Sequence, residues 1–223
     1  MPGRRSALKL AGDGPCWEAA TVEGTRGAPS GRREASLPVD HTIHYCWRLP
    51  DGDGYATILL WDAARLLESD GSRAQPTRLA VEVGWAGRGS AALFVVVTSQ
   101  WRSVVFHLVR MGGVSPVMME LFRDKRVLKW GIGHATLYKV LCPHFPNISR
   151  IEDIAVDALV TDPLRIFSTR SSLSDLFFLF IGEVVPLQRH LRAKDWTAPL
   201  SLDQLRLCAL NGHCCHRLAH VLS

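Results

Sequence analysis

The 223-residue chain has no apolar run approaching the roughly 20 residues that a membrane-spanning helix needs; LFFLFI, from Leu176 to Ile181, has only six. A helical membrane protein is excluded, so the expectation is a soluble chain without a membrane partner. The opening MPGRRSALKLAGDG is basic but lacks the apolar stretch of a secretory leader. The chain is therefore expected to act inside the cell, in the nucleus or the cytoplasm, and not to be secreted. No two of its six cysteines (Cys16, Cys46, Cys142, Cys208, Cys214, Cys215) stand in a CxxC pair. A chain of this size also needs no covalent staples, which points to reduced thiols and away from a disulfide framework. No internal repeat is visible.

What is present suits a globular domain. Hydrophobic residues make up 47% and charged residues 21%, close to ordinary composition, so most of the chain can bury enough apolar area to offset the entropy of ordering. Lysine and arginine exceed aspartate and glutamate by 26 − 21 = 5. That excess permits contact with polyanions without requiring it. At about 150 residues per domain, the length implies one core with an extension.

The composition shifts along the chain. Residues 1–40 hold 6 of the 18 glycines and 4 of the 12 prolines, and their charges follow no helical or strand period; they read as a disordered arm. From His41 the run HTIHYCWRL, the turn-rich PDGDG and then YATILLW read as a β-hairpin, with Asp62 capping a short helix after it. RLAVEVGWA (78–86), ALFVVVTS (92–99) and SVVFHLV (103–109) read as an antiparallel meander. Ser115 before Pro116 signals a helix start. VLKWGIG reads as a buried strand entering a helix near Ala135, and SLSD from Ser172 and SLDQ from Ser201 carry helix-start signatures. Strands first and helices later predict an α/β domain over 41–223, a mixed sheet flanked by helices.

Four segments then carry a resemblance: the strand LAVEVGW, the strand KWGIG, the helix start SLSDL, and above all DWTAPLSLDQLRLCAL, with Trp196, Pro199, Leu200, Asp203 and Gln204 at consistent spacing. From Arg78 onward, about two thirds of the chain, the sequence resembles the Werner-type 3′-5′ exonuclease domain of the DEDD superfamily, which implies a ribonuclease H-like fold. Such enzymes cut phosphodiesters with two divalent cations held by four carboxylates. Two dications a few ångströms apart repel strongly, so several anionic oxygens are indispensable.

Carried over motif by motif, the resemblance implies a degenerate site. In the first motif Glu82 falls on the aspartate and Gly84 on the glutamate, or in the other register Glu82 on the glutamate and Ala80 on the aspartate. One carboxylate survives either way. The second motif puts Leu137 at its acid, with no acid from Gly131 to Leu141, and the third puts Cys208 at the tyrosine and Gly212 at the last acid. Glu82 is the vestigial candidate for catalysis and metal binding, with no intact catalytic set and no metal expected.

Other residues have two readings each. His134 follows the Gly131-x-Gly133 turn, where it could meet a phosphate or serve as a loop histidine. Arg189, Arg192 and Lys194 precede Trp196, and Arg123, Lys125, Arg126 and Lys129 form a second basic run; both suit phosphate contacts or a solvated surface. His213, His216 and His220 share one helix face with Cys208, Cys214 and Cys215 nearby; helix packing is expected over zinc, because the spacing matches no strong ligand pattern. Trp47, Trp61, Trp85, Trp101 and Trp130 are expected in the core. Asp153 and Asp157 read as structural.

The expected function is a degenerate exonuclease-like domain that binds DNA or RNA with little or no hydrolysis and no cofactor. The alternatives are an active exonuclease using Mg2+ or Mn2+ in a divergent site, and a protein-interaction module without nucleic acid.

Overall fold

The computed structural model describes residues 17–19, 33–68, 77–85, 91–149, 151–161, 171–186, 188–192 and 194–222. Among them are the strands β1 (Trp17–Ala19), β2 (Thr42–Cys46), β3 (Thr77–Trp85), β4 (Ala92–Thr98), β5 (Arg102–Phe106), β6 (Val127–Gly131) and β7 (Ile151–Asp153). These form one sheet in the order β1-β2-β5-β4-β3-β6-β7. β3 pairs antiparallel with β4 and parallel with β6, so the Glu82 strand lies inside a mixed sheet as expected. No described helix is long and apolar enough to cross a membrane.

Strand alternation divides the core in two. Leu79, Val81, Val95, Val97, Val104 and Phe106 face helices α1 (Leu49–Glu68), α2 (Leu108–Met111), α3 (Pro116–Arg123) and α4 (His134–Leu141). Ala80, Phe94, Val96, Val105 and Trp130 face α5 (Ile154–Thr161), α6 (Leu173–Ile181) and α8 (Leu202–Val221), while α7 (Arg189–Arg192) precedes the approach to α8. Ser172 and Ser201 each close a capping box, with Asp175 and Gln204, and Ser115 accepts from the Met118 N–H. These starts were legible because capping depends on three or four consecutive residues.

Two readings are corrected. PDGDG is not a hairpin turn: it is the first turn of the 20-residue helix α1, and Asp62 lies inside that helix. β2 has no return strand after it and pairs in parallel with β5. Gly52 tolerates the helix because it packs against Met111 and Met118, where a side chain would collide. The boundary at residue 40 is also too late, since β1 pairs with β2 and the buried Ala35 and Leu37 join the core. The rest of the proposed arm lies outside the described residues.

Lys129 belongs to no basic surface. It is 1% exposed, and its Nζ donates to the Asp124 carbonyl (2.6 Å), the Val127 carbonyl (2.9 Å) and Ser149 Oγ (2.7 Å). Desolvation lowers its pKa to about 8, against the pull of Asp124. The lysine thus pins the turn before β6 to the chain before β7. Lys129→Ala is expected to lower stability by about 2–4 kcal/mol, through three lost hydrogen bonds and a vacated stem. Urea unfolding should show a lower midpoint at unchanged slope; an unchanged midpoint would mean that the pin contributes nothing.

Candidate functional site

A cavity of about 230 Å³ opens where the first and third motifs meet, lined by Glu82, Val83, Gly84, Phe94, Val96, Trp196, Leu207, Cys208 and Asn211. β3 supplies Glu82 and Gly84 from one face, because they are two residues apart. β4 supplies Val96 and Phe94 directly across from them. α8 supplies Leu207, Cys208 and Asn211, one turn apart.

Glu82 keeps part of its surface toward the cavity while protein atoms surround its carboxyl. Loss of water raises its pKa from 4.5 to about 7, opposed by a hydrogen bond with the Cys215 thiol. Burial in turn pushes Cys208 and Cys215 far above the ordinary thiol range and Cys214 up to about 12, and Glu82 adds to all three shifts. These thiols stay protonated and poorly nucleophilic at neutral pH.

The other motif positions are occupied by packing. A Cβ at Gly84 would overlap the Phe94 ring, and that ring stacks on Trp196 at 5.1 Å between centroids. A Cβ at Gly212 would overlap Thr98 Oγ1 and lie 3.0 Å from Thr98 Cβ. Leu137 is buried in the opposite core, where it packs against Gly131. Among the described residues no three His, Cys, Asp or Glu side chains are grouped to hold a metal ion. One carboxylate among thiols and aromatic rings does not fit a pair of hard dications, which require oxygen ligands.

Trp196 is held by a relay that sequence reading missed. His107 Nε2 lies 3.0 Å from the Trp196 carbonyl, and Tyr45 Oη lies 2.6 Å from His107 Nδ1. Burial lowers the pKa of His107, which favours its neutral form. A carbonyl only accepts, so Nε2 carries the proton, Nδ1 accepts from Tyr45, and Tyr45 Oη accepts from the Leu200 N–H at 3.1 Å. The Trp196 segment is thereby locked to β2 and the end of β5. No local signal links residues 45, 107 and 196.

Asp153 Oδ1 accepts from the N–H of Gly133 (3.3 Å) and Ala155 (3.0 Å), which holds Gly133 in its left-handed conformation at φ 71°. His134 begins α4, and Arg189 and Arg192 bound α7, but their side chains lie outside the described residues. Lys194 is exposed. Arg126 is paired with Asp124 at 2.7 Å, and Arg123 donates to the Pro146 carbonyl. His213 and His216 are buried among packing contacts, with His213 against His41 and His216 against His220. Of the tryptophans expected in the core, Trp130 is buried and Trp47 half-buried, whereas Trp61 is 75% and Trp101 53% exposed. The correction has a local cause: Trp61 faces outward from a helix instead of a strand, and Trp101 sits in the tight β4–β5 turn. The Trp85 side chain lies outside the described residues.

This fold is similar to that of solved 3′-5′ exonuclease domains with a ribonuclease H-like architecture. The catalytic core of RRP6 from Trypanosoma brucei superposes with a TM-score of 0.62 at 14% identity, covering 86% of this chain and 49% of that one. The Aedes aegypti Nibbler EXO domain gives 0.61 at 16%, covering 83% and 88%. Escherichia coli RNase D, an exoribonuclease involved in structured RNA processing, gives 0.62 at 12%, covering 80% and 43%. The chain thus spans about half or less of the RRP6 core and RNase D chains. No protein-family model matches the sequence, and no curated protein matches it.

Proposed function

We propose that this exonuclease-like domain engages DNA or RNA with little or no hydrolysis. The observation that carries this reading is that Phe94 and Thr98 fill the space that acids at positions 84 and 212 would need. Hydrolysis by two metals depends on several oxygen ligands at once, and loss of even one costs orders of magnitude in rate. The formal charge of +5 and the nucleic-acid substrate named for RNase D support retention of polyanion binding.

The purified chain is expected to leave labelled DNA and RNA intact in Mg2+ or Mn2+. Filter binding should weaken steeply as salt rises, because displaced counterions set that slope. Co-purifying, metal-dependent 3′-5′ degradation that disappears in Glu82→Gln would overturn the reading, as would a flat salt response. The protein-interaction reading rests on Trp61 and Trp101, exposed beside the Asp62–Arg102 ion pair at 3.7 Å; tryptophan is enriched where protein interfaces concentrate binding energy.

A further inference from the structure

We infer that the end of the sheet where β2 and β5 finish holds a single nucleic-acid strand, with Trp47 and Trp196 as stacking platforms for unpaired bases and Arg110 and Lys194 as partners of the phosphates. The inference rests on the nucleic-acid reading above and deepens it by naming the form of the ligand and the surface that takes it.

Strand register brings the two tryptophans to one end of the sheet. Cys46 is opposite Phe106, and Phe106 is opposite Val95. The His107 N–H donates to the Cys46 carbonyl at 2.9 Å, so the alignment continues one step further and sets Trp47, His107 and Phe94 in one cross-strand row. Two strand spacings separate Trp47 from Phe94, roughly 10 Å. Trp196 joins the row from the chain before α8, stacked on Phe94 at 5.1 Å between centroids, with its carbonyl 3.0 Å from His107 Nε2. Tyr45, His107 and Phe94 are buried, whereas Trp47 and Trp196 are half-buried and keep part of their surface in solvent. Each is fixed from within: Trp47 lies against the Tyr45 ring at 5.1 Å, as Trp196 lies against Phe94. A ring already immobilised loses little freedom when a base stacks on it.

Charge accompanies the rings. Arg110 lies on α2, three residues past His107; it is exposed, and its charge acts on both Tyr45 and His107. Lys194, two residues before Trp196, is exposed as well. Neither makes an ion pair among the described residues. Arg48, next to Trp47, is exposed but shares its charge with Asp51, and the Asp195 carboxylate accepts from the N–H and hydroxyl of Thr197. Cations beside aromatic platforms hold a single strand, with phosphates on the cations and base faces on the rings. In a duplex the bases stack on one another, so their faces cannot reach the tryptophans. The second basic run lacks this combination: Arg123, Lys125 and Arg126 precede β6 at the opposite end of the sheet, and Arg126 is committed to Asp124.

The test is fluorescence polarisation of the full chain with labelled oligouridylate and oligothymidylate about 12 nucleotides long, and with a duplex of the same length. Single strands should bind at least about fivefold more tightly than the duplex in the same salt. Trp47→Leu keeps the apolar contact with Tyr45 and removes the flat face, so affinity should fall about fivefold or more at an unchanged salt slope, and Trp47→Phe should restore most of it. Arg110→Gln and Lys194→Gln should each make the slope of log affinity against log salt shallower by about 0.7, the share of one phosphate contact on a single strand. Trp61→Ala and Lys125→Gln, at the opposite end of the sheet, should leave binding within about twofold of the parent, since their side chains touch no part of the strand. Ultraviolet crosslinking of the unaltered chain to oligouridylate should place adducts on the peptides that contain Trp47 or Trp196, a readout that needs no variant to fold. Equal binding of duplex and single strand, variant losses no larger than those of the two controls, or adducts confined to other peptides overturns the surface and leaves the nucleic-acid reading standing. Absence of salt-dependent binding to every oligonucleotide sinks that reading and the surface with it.

Discussion

Gly212→Asp, which places an acid where the resemblance aligns the last acid of the third motif, is expected to destabilise the protein without conferring nuclease activity. Gly212 faces β4 from the middle of α8, and a Cβ there enters the space of Thr98. Thr98 cannot move freely: it is fully buried, its hydroxyl lies 2.9 Å from Ser103 Oγ, and Ser103 Oγ lies 2.9 Å from His41 Nε2. The new side chain would push the helix from the sheet or break this buried chain of hydroxyls, and it would add a carboxylate with no cation to meet it. Overpacking and an unpaired buried charge together cost roughly 3–5 kcal/mol. For a chain of this size that lowers Tm on the order of 10 °C.

A double-mutant cycle isolates the cause. Gly212→Ala should be less harmful in a Thr98→Ala background, with a coupling of about 1 kcal/mol or more, because the colliding hydroxyl is gone. If Gly212→Asp melts with the parent chain, α8 does not lie against β4 as described. On the reading proposed above, an acid at this position alone would supply no metal site, because Thr98 already fills the space it needs.

Acidification from pH 7 to pH 5 is expected to remove much of the folding stability. His213 and His216 on α8 and His44 on β2 are buried, and their pKa values fall from 6.5 to about 3, about 4 and about 4. Desolvation is the main cause in each. Cationic neighbours add to it: His41, Arg217 and His216 around His213; His220, His41 and Arg78 around His216; Arg102 and His41 around His44.

The unfolded chain takes up protons below pH 6.5 while the folded chain resists them until about pH 4. Stability is therefore present above pH 6.5 and lost as pH falls. Each of the three histidines contributes a loss of about 2 kcal/mol at pH 5. Glu82 acts in the opposite sense, because its folded pKa is raised, and it returns about 2 kcal/mol over the same interval. A net loss of roughly 4 kcal/mol is a large share of a domain's usual stability. Urea midpoints measured at half-unit steps should fall between pH 7 and 5. Replacing His213 and His216 together by leucine should flatten that slope by about two histidines' worth. A flat profile in the parent chain would show that these rings reach water.

The sequence by itself determined the parts that depend on neighbours along the chain. Helix starts at Ser115, Ser172 and Ser201 were legible because capping is local, and the β3, β4 and β6 strands because alternation and β-branched runs are local. The motif spacing around Trp196 and Glu82 pointed to the fold. PDGDG misled because glycine and aspartate favour turns in isolation, whereas packing of Gly52 on Met111 and Met118 and of Ala56 and Leu59 in the core supports a helix there. Only the tertiary structure decided what surrounds positions 84 and 212. Phe94 reaches Gly84 through strand pairing, and Thr98 reaches Gly212 through the packing of α8 on β4, across 10 and 114 residues of chain respectively. Burial did the same for charge: Lys129 counts as a surface cation in sequence, and Glu82 as an ordinary acid. Removal of water, which no residue encodes alone, makes the first a structural pin and holds the proton of the second to near neutrality.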